Sequence, residues 1–274
     1  YFNYGHFYQE PASSYRFPIQ REYNGLVTDF GNPNMKLEKT VAYELGYAHS
    51  IFDLFLVNIA AYYKDITNQP NWIYYEDING AVQYYKAASN NYEDIRGFEI
   101  TLTKRSGDWI TGFINYTYEA ESYGYFGYRR YYEDQNEQDE YLRLNPPYQV
   151  KPLSQPYARA SIDIHTPSDF GPTWLGIKPL EFWNLNILAE WREGEYDTYN
   201  PNSIPGVIND VQWRDYHNVD MRLSKTFKVS RYEFQFYVDV TNVFNAKHMS
   251  YAGFSDYNGD YLDYLKSLRF SWEE

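Results

Sequence analysis

Residues 232–240 read Tyr-Glu-Phe-Gln-Phe-Tyr-Val-Asp-Val. Phe234, Phe236, Val238 and Val240 are apolar, whereas Glu233, Gln235 and Asp239 are polar, with Tyr237 among them. Successive side chains of an extended strand point to opposite faces, so the stretch specifies one greasy and one wet face. In a soluble sandwich the greasy face covers a core. In an outer-membrane barrel it meets lipid, and the wet face lines a lumen.

The same period recurs along the chain, predicting about ten strands. They are residues 1–9, 39–49 (KTVAYELGYAH), 54–66, 96–104, 109–118, 157–165 (YARASIDIH), 182–192, 218–227, the opening stretch, and 261–272 (YLDYLKSLRFSW). The last is read with Leu262, Tyr264, Leu268, Phe270 and Trp272 on one face. Short turns such as 49–53, 104–108 and 227–231 alternate with long connections at 10–36, 67–91, 120–155, 193–214 and 246–260, with an intermediate one at 167–181. Compact soluble domains rarely hold structureless loops this long. Short turns at one end and long loops at the other are the layout of an outer-membrane barrel. The fold class is therefore all-β, an antiparallel transmembrane β-barrel. From Tyr1, an up-and-down trace brings the tenth strand to the periplasmic end near Glu274.

Composition narrows the function. The 274 residues carry 24 Lys and Arg against 37 Asp and Glu, for a net charge of −13, which argues against a nucleic-acid partner. Cysteine is absent, excluding disulfides and Cys-based zinc sites or nucleophiles. Mean hydropathy is −0.70, and there is no apolar run long enough for a membrane helix. Tyr, Trp and Phe make up 21% of residues, with 33 Tyr, more than an ordinary core explains. Tyr43, Tyr47, Tyr63, Tyr118, Trp183, Trp191, Phe227 and Trp272 end the apolar bands, as interfacial girdles do. Polar-face Arg96, Glu99, Arg159, Asp163, Glu190, Arg192, Asp220, Arg222, Asp239 and Arg269 would line a lumen. The chain opens without Met or a signal-peptide pattern, so a fragment or processed product is expected.

These residues resemble a known family. The opening strand, GNPNMKLEKTVAYELGY (31–47), AAYYKDI (60–66) and the hairpin NYEDIRGFEITLTKRSGDWITGFINYTYE (91–119) are similar to the C-terminal half of a TonB-dependent receptor barrel. YHNVDMRLSKTF (216–227) and YVDVTNVFN (237–245) look like its penultimate hairpin. The long, Tyr-rich loops look most like SusC-like receptors of Bacteroidetes-type bacteria. The resemblance implies a 22-strand barrel with an N-terminal plug and energy delivered by TonB. It implies the outer membrane of a Gram-negative bacterium, lipid contact, a SusD-like surface lipoprotein partner and import of a small-molecule, glycan or peptide ligand. Residues 1–274 are then expected to form the C-terminal part of the barrel, as an open arc rather than a small closed barrel, with the plug outside this chain. The family usually ends in Phe or Trp, whereas this chain ends Arg-Phe-Ser-Trp-Glu-Glu.

Two loops carry candidate chemistry. In 121–141, Tyr123, Tyr125, Phe126 and Tyr128 would stack on a ligand, and Arg129 and Arg130 would bind carboxylate or phosphate. In 72–85, Trp72, Tyr74, Tyr75, Tyr84 and Tyr85 form a second aromatic group. The blander reading of both is a solvated loop packing on its neighbours. Asp256, Asn258 and Asp260 alternate as calcium ligands would, but Gly259 precedes Asp260 and the bidentate Glu of an EF-hand is missing. No hydrolase or phosphate-cradling motif occurs, and the five His are scattered, so no enzyme activity and no other cofactor are expected. The alternative function is a secreted all-β adhesin or glycan-binding module.

Overall fold

The computed structural model describes residues 1–145, 149–174, 178–202, 204, 206–229, 231–248 and 259–270. In chain order the elements are β1 (Phe2–Gln9), α1 (Ser13–Arg16), β2 (Ile19–Arg21), β3 (Val27–Phe30), β4 (Glu38–Ile51), β5 (Phe55–Glu76), β6 (Gln83–Lys104), β7 (Ile110–Tyr125) and β8 (Arg130–Tyr132). They continue with α2 (Gln135–Leu144), β9 (Tyr157–His165), β10 (Trp183–Arg192), β11 (Tyr196–Asp197), β12 (Val211–Gln212), β13 (Tyr216–Val229), β14 (Tyr232–Val240), α3 (Asp260–Ser267) and β15 (Arg269–Phe270). The main sheet is β1-β4-β5-β6-β7-β9-β10-β13-β14. This is an up-and-down order of near neighbours, as alternating strands joined by hairpins dictate. Among the described residues it is an open path, because β1 and β14 do not pair with each other.

Contacts divide the chain into two units. One holds residues 1–46, 61–97 and 119–154; the other holds 47–60, 98–118 and 155–274. In the second unit, register turns the sequence alternation into rows. Ile110, Ile164, Leu185, Leu223 and Val238 lie side by side across five strands. Gly112, Ile162, Ile187, Met221 and Val240 form the next apolar row. Between them runs Thr111, Asp163, Asn186, Arg222 and Asp239. On this polar face Asp163 accepts from the Asn186 amide at 3.1 Å, and Arg222 makes a bidentate pair with Asp239 at 2.6 and 2.8 Å. Arg159 and Glu190 sit 3.6 Å apart. Asp163, Asn186, Arg222 and Asp239 line a polar recess of about 810 Å³.

The apolar rows are only partly covered: Ile162, Leu185, Ile187 and Met221 are half-buried. Phe236 is 67% and Val238 63% exposed, and Ile110, Ile114, Ile164 and Leu223 are exposed as well. Among the described residues the buried apolar side chains are Ile73, Ala87, Val211, Leu265 and Leu268. A sandwich of this length would cover one face of its sheet with a larger set of buried apolar side chains than these. Aromatic residues mark the ends of the apolar face. Tyr43, Tyr47, Tyr63, Tyr118, Trp183 and Phe227 are exposed there and Trp191 is half-buried; Trp272 lies outside the described residues.

The first unit holds an extended β5–β6 hairpin. Both strands run 22 residues, well past the segments read from alternation. The period breaks at Asn68, whose φ of 60° is left-handed, a conformation Asn adopts more readily than most residues. Its amide donates to the Leu37 carbonyl at 3.2 Å, where β4 begins. Beyond Asn68 the hairpin gains two parallel partners. β3 pairs with β6 at Asp29–Tyr85 and Phe30–Lys86, and β8 pairs with β5 from Tyr74–Arg130 to Glu76–Tyr132.

Three expectations are corrected. Residues 67–91 and 120–155 are not structureless loops: they hold the tip of the β5–β6 hairpin, the end of β7, β8 and α2. The connections 10–36 and 193–214 likewise contain short strands. The tenth strand, 261–272, is instead α3 followed by β15, so the parity trace ends with β14. Tyr261, Tyr264, Leu265 and Leu268 follow helical spacing, and this outweighs the alternation of Leu262, Tyr264 and Leu268. Leu265 and Leu268 pack with Val211 against Tyr199, Trp213, Tyr261 and Tyr264, a small core over the β11-β12-β15 sheet.

Exposure of the apolar rows predicts an asymmetric response to charge. Val238→Arg lowers stability by roughly 2–4 kcal/mol in a bilayer, whereas Gln235→Arg, on the polar face, changes it by far less. Denaturation of the lipid-reconstituted protein measures both.

Candidate functional site

Three Tyr-Tyr pairs meet in the first unit: 74–75 on β5, 84–85 on β6 and 131–132 on β8. Adjacent strand residues face opposite ways, so each pair gives one ring to each face of the sheet. On one face Tyr75 lies between Tyr84 and Tyr131, with centroids 5.1 and 5.0 Å away and planes within 9° and 8° of parallel. Tyr128 closes edge-on against Tyr131, and Phe30 edge-on against Tyr84. On the other face Tyr74 contacts Tyr85 at 5.3 Å and Tyr132 at 6.1 Å. Arg130 lies between the Tyr74 and Tyr141 rings and donates to the Tyr132 hydroxyl at 3.3 Å. Each such contact contributes about 0.5–1.5 kcal/mol beyond its buried area.

Helix α2 locks this arrangement. Its N-cap Asp134 accepts from the Asn136 and Glu137 amides at 2.8 and 3.1 Å. The helix buries Gln138, which meets the free edge of β8 as a neighbouring strand would. The side-chain oxygen of Gln138 accepts from the Tyr132 amide at 2.9 Å, and its nitrogen donates to the Arg130 carbonyl at 3.4 Å.

Electrostatics follow the packing. Burial raises the Tyr74 phenol, aided by its 2.5 Å hydrogen bond to Glu76. Burial also raises the Tyr75 phenol, and the neighbouring Tyr131 and Tyr84 raise it further. The hydrogen bond from Arg130 to Tyr132 raises the guanidinium pKa further, so it stays charged.

The structure brings most of the sequence candidates into one region but not into one surface. Tyr75 and Tyr84 share the first face with Tyr128, and Tyr74, Tyr85 and Arg130 share the second. Trp72 stands apart, against Tyr15 at 5.6 Å. Tyr125 lies under Arg129 at 4.7 Å, Phe126 packs on Tyr92 at 4.7 Å, and Tyr123 bridges to Val150. These rings spend much of their surface on one another: Tyr74, Tyr75 and Tyr84 are half-buried, while Phe126, Tyr128, Arg129 and Tyr85 are exposed. Sequence reasoning missed Tyr131, Tyr132, Gln138 and Tyr141. The signal was the Asp134-x-x-Glu137 helix start beside the third of these Tyr-Tyr pairs. Of the calcium candidates, Asp260 stands in the first turn of α3, and Asp256 and Asn258 lie outside the described residues.

A family model described as TonB dependent receptor-like, beta-barrel matches residues 1–243. A search of curated proteins found no match. The family match stops just past the end of β14, before the region where α3 replaces the expected strand.

Two measurements test the architecture. Gln138→Leu leaves the Tyr132 amide and Arg130 carbonyl without partners, costing about 1–3 kcal/mol locally, and amide exchange at Tyr132 accelerates. Tyr74 and Tyr75 have folded pKa values above the unfolded ones, so their contribution is complete below pH 10 and is lost as pH rises beyond it. Phenolate absorbance therefore shows a late-titrating group that Tyr75→Phe diminishes.

Proposed function

The chain belongs to the TonB-dependent receptor β-barrel family, and we propose that it forms part of a bacterial outer-membrane receptor that captures a ligand at its long-loop end and imports it through a gated lumen. One observation carries the reading: apolar side chains stand in register across β7, β9, β10, β13 and β14, and Ile110, Ile164, Leu223, Val238 and Val240 among them are exposed. Such a face is stable when lipid covers it. The opposite face, lined by Asp163, Asn186, Arg222 and Asp239, supplies a wet wall.

Capture and passage need no covalent step. The stacked tyrosines hold the β5–β6 tip rigid, so exposed Tyr85, Phe126, Tyr128 and Arg129 meet a ligand without first being ordered, which lowers the cost of binding. The ligand classes this surface suits are small molecules, glycans or peptides with flat or anionic groups. TonB, acting through a plug, supplies the energy, and a SusD-like lipoprotein is a partner to be sought by co-purification.

Fractionating native cells and reading the intact mass of the detergent-extracted species tests the location. Recovery from the outer membrane is expected, and a soluble monomer defeats the proposal. In the intact receptor, Tyr75→Ala together with Tyr131→Ala removes the central stack. The half-saturating ligand concentration for uptake then rises about tenfold with the amount of receptor unchanged.

A further inference from the structure

Beside the Tyr75 stack lies a pocket that none of the candidate residues except Tyr84 anticipates. It has a volume of about 410 Å³ and is lined by Leu26, Val27, Phe30, Val82, Gln83, Tyr84 and Lys86, with Gly31 on one side. The volume falls within the range of small-ligand sites. Its walls are fixed. Tyr84 is held on one ring face by Tyr75 and edge-on by Phe30. The 22–26 turn is closed by the Gly25 amide donating to the Glu22 carbonyl at 2.9 Å and by the Leu26 amide donating to the Asn24 side chain at 2.8 Å. At Gly31 a Cβ would stand 2.7 Å from the Arg16 backbone, so only glycine lets this wall approach α1.

The charge in this pocket is one-sided. Lys86 is its one charged lining residue, no carboxylate lines it, and the Lys86 ammonium makes no hydrogen bond or ion pair among the described residues. In a chain of net charge −13 an exposed cation at the mouth of an apolar cavity is a local exception. We infer that this pocket binds a small organic carboxylate whose aliphatic or aromatic body lies against Leu26, Phe30, Val82 and Tyr84 and whose carboxylate pairs with Lys86. The inference deepens the import reading by naming a ligand class, and it takes its source of ligand from that reading.

Fluorine NMR line broadening of 4-fluorophenylacetate, with 4-fluorophenethylamine as its cationic counterpart, tests this on the full-length receptor in amphipol. The carboxylate binds about tenfold more tightly than the amine, the ratio a charge-assisted contact gives. Lys86→Gln abolishes that preference, and Val82→Trp, which fills the cavity from an exposed hairpin position, abolishes binding of both probes. Equal binding of the two probes, no broadening by either, or binding unchanged in Val82→Trp overturns the inference. Near-ultraviolet circular dichroism checks that the tyrosine stack survives in each variant. Binding is read on purified protein without transport, so an outer-membrane receptor that ignores the probe sinks this inference alone. A soluble protein that binds it sinks the import reading alone.

Discussion

Everything in the main sheet depends on register. Antiparallel hydrogen bonds place Ile164 beside Leu185, Leu185 beside Leu223 and Leu223 beside Val238, and the two-residue period then assigns each neighbouring position its face. A one-residue slip of β13 would move Met221 and Leu223 onto the wet face and strip Arg222 of Asp239. The bidentate pair and the apolar rows therefore specify the same pairing independently. Little else holds this part of the chain, since the buried apolar side chains among the described residues are few. The hydrophobic contribution from these rows, about 25 cal/mol per Å² of apolar surface, arises only once something apolar covers them.

The first unit solves a different problem. A hairpin of 22-residue strands extends beyond its neighbours and would have frayed edges. Parallel additions by β3 and β8 supply the missing hydrogen bonds, and paired tyrosines stiffen both faces. Several Tyr residues that give this stiffness, Tyr74, Tyr75, Tyr84 and Tyr85, are ones the sequence suggested for ligand contact, and Tyr131 and Tyr132 join them. Exposure separates the two roles: Tyr75 and Tyr84 serve the stack, while Phe126 and Tyr128 remain open to solvent.

Alternation made most of the sheet legible, because period two is a local signal and β1, β4, β9, β10, β13 and β14 each carry it in their own residues. It failed where the signal is not local. Past Asn68 the strands continue with aromatic residues on both faces, so Tyr74-Tyr75 and Tyr84-Tyr85 show no alternation to read. At 260–268 two periods coexist, and packing of Leu265 and Leu268 on Val211, more than fifty residues away, selects the helical one. The candidate site was legible as a composition of Tyr and Arg. Its division between two faces was not, because that depends on a parallel pairing of β5 with β8 that spans the whole of β6 and β7.

The contact between Gln138 and β8 has a consequence beyond local order. An unpaired strand edge is a template on which another chain can add. Here the outer edge of β8 is occupied by a side-chain amide that presents one donor and one acceptor and then ends. Sheet growth terminates at that residue. One glutamine thus closes to a further strand the edge that β8 would otherwise offer.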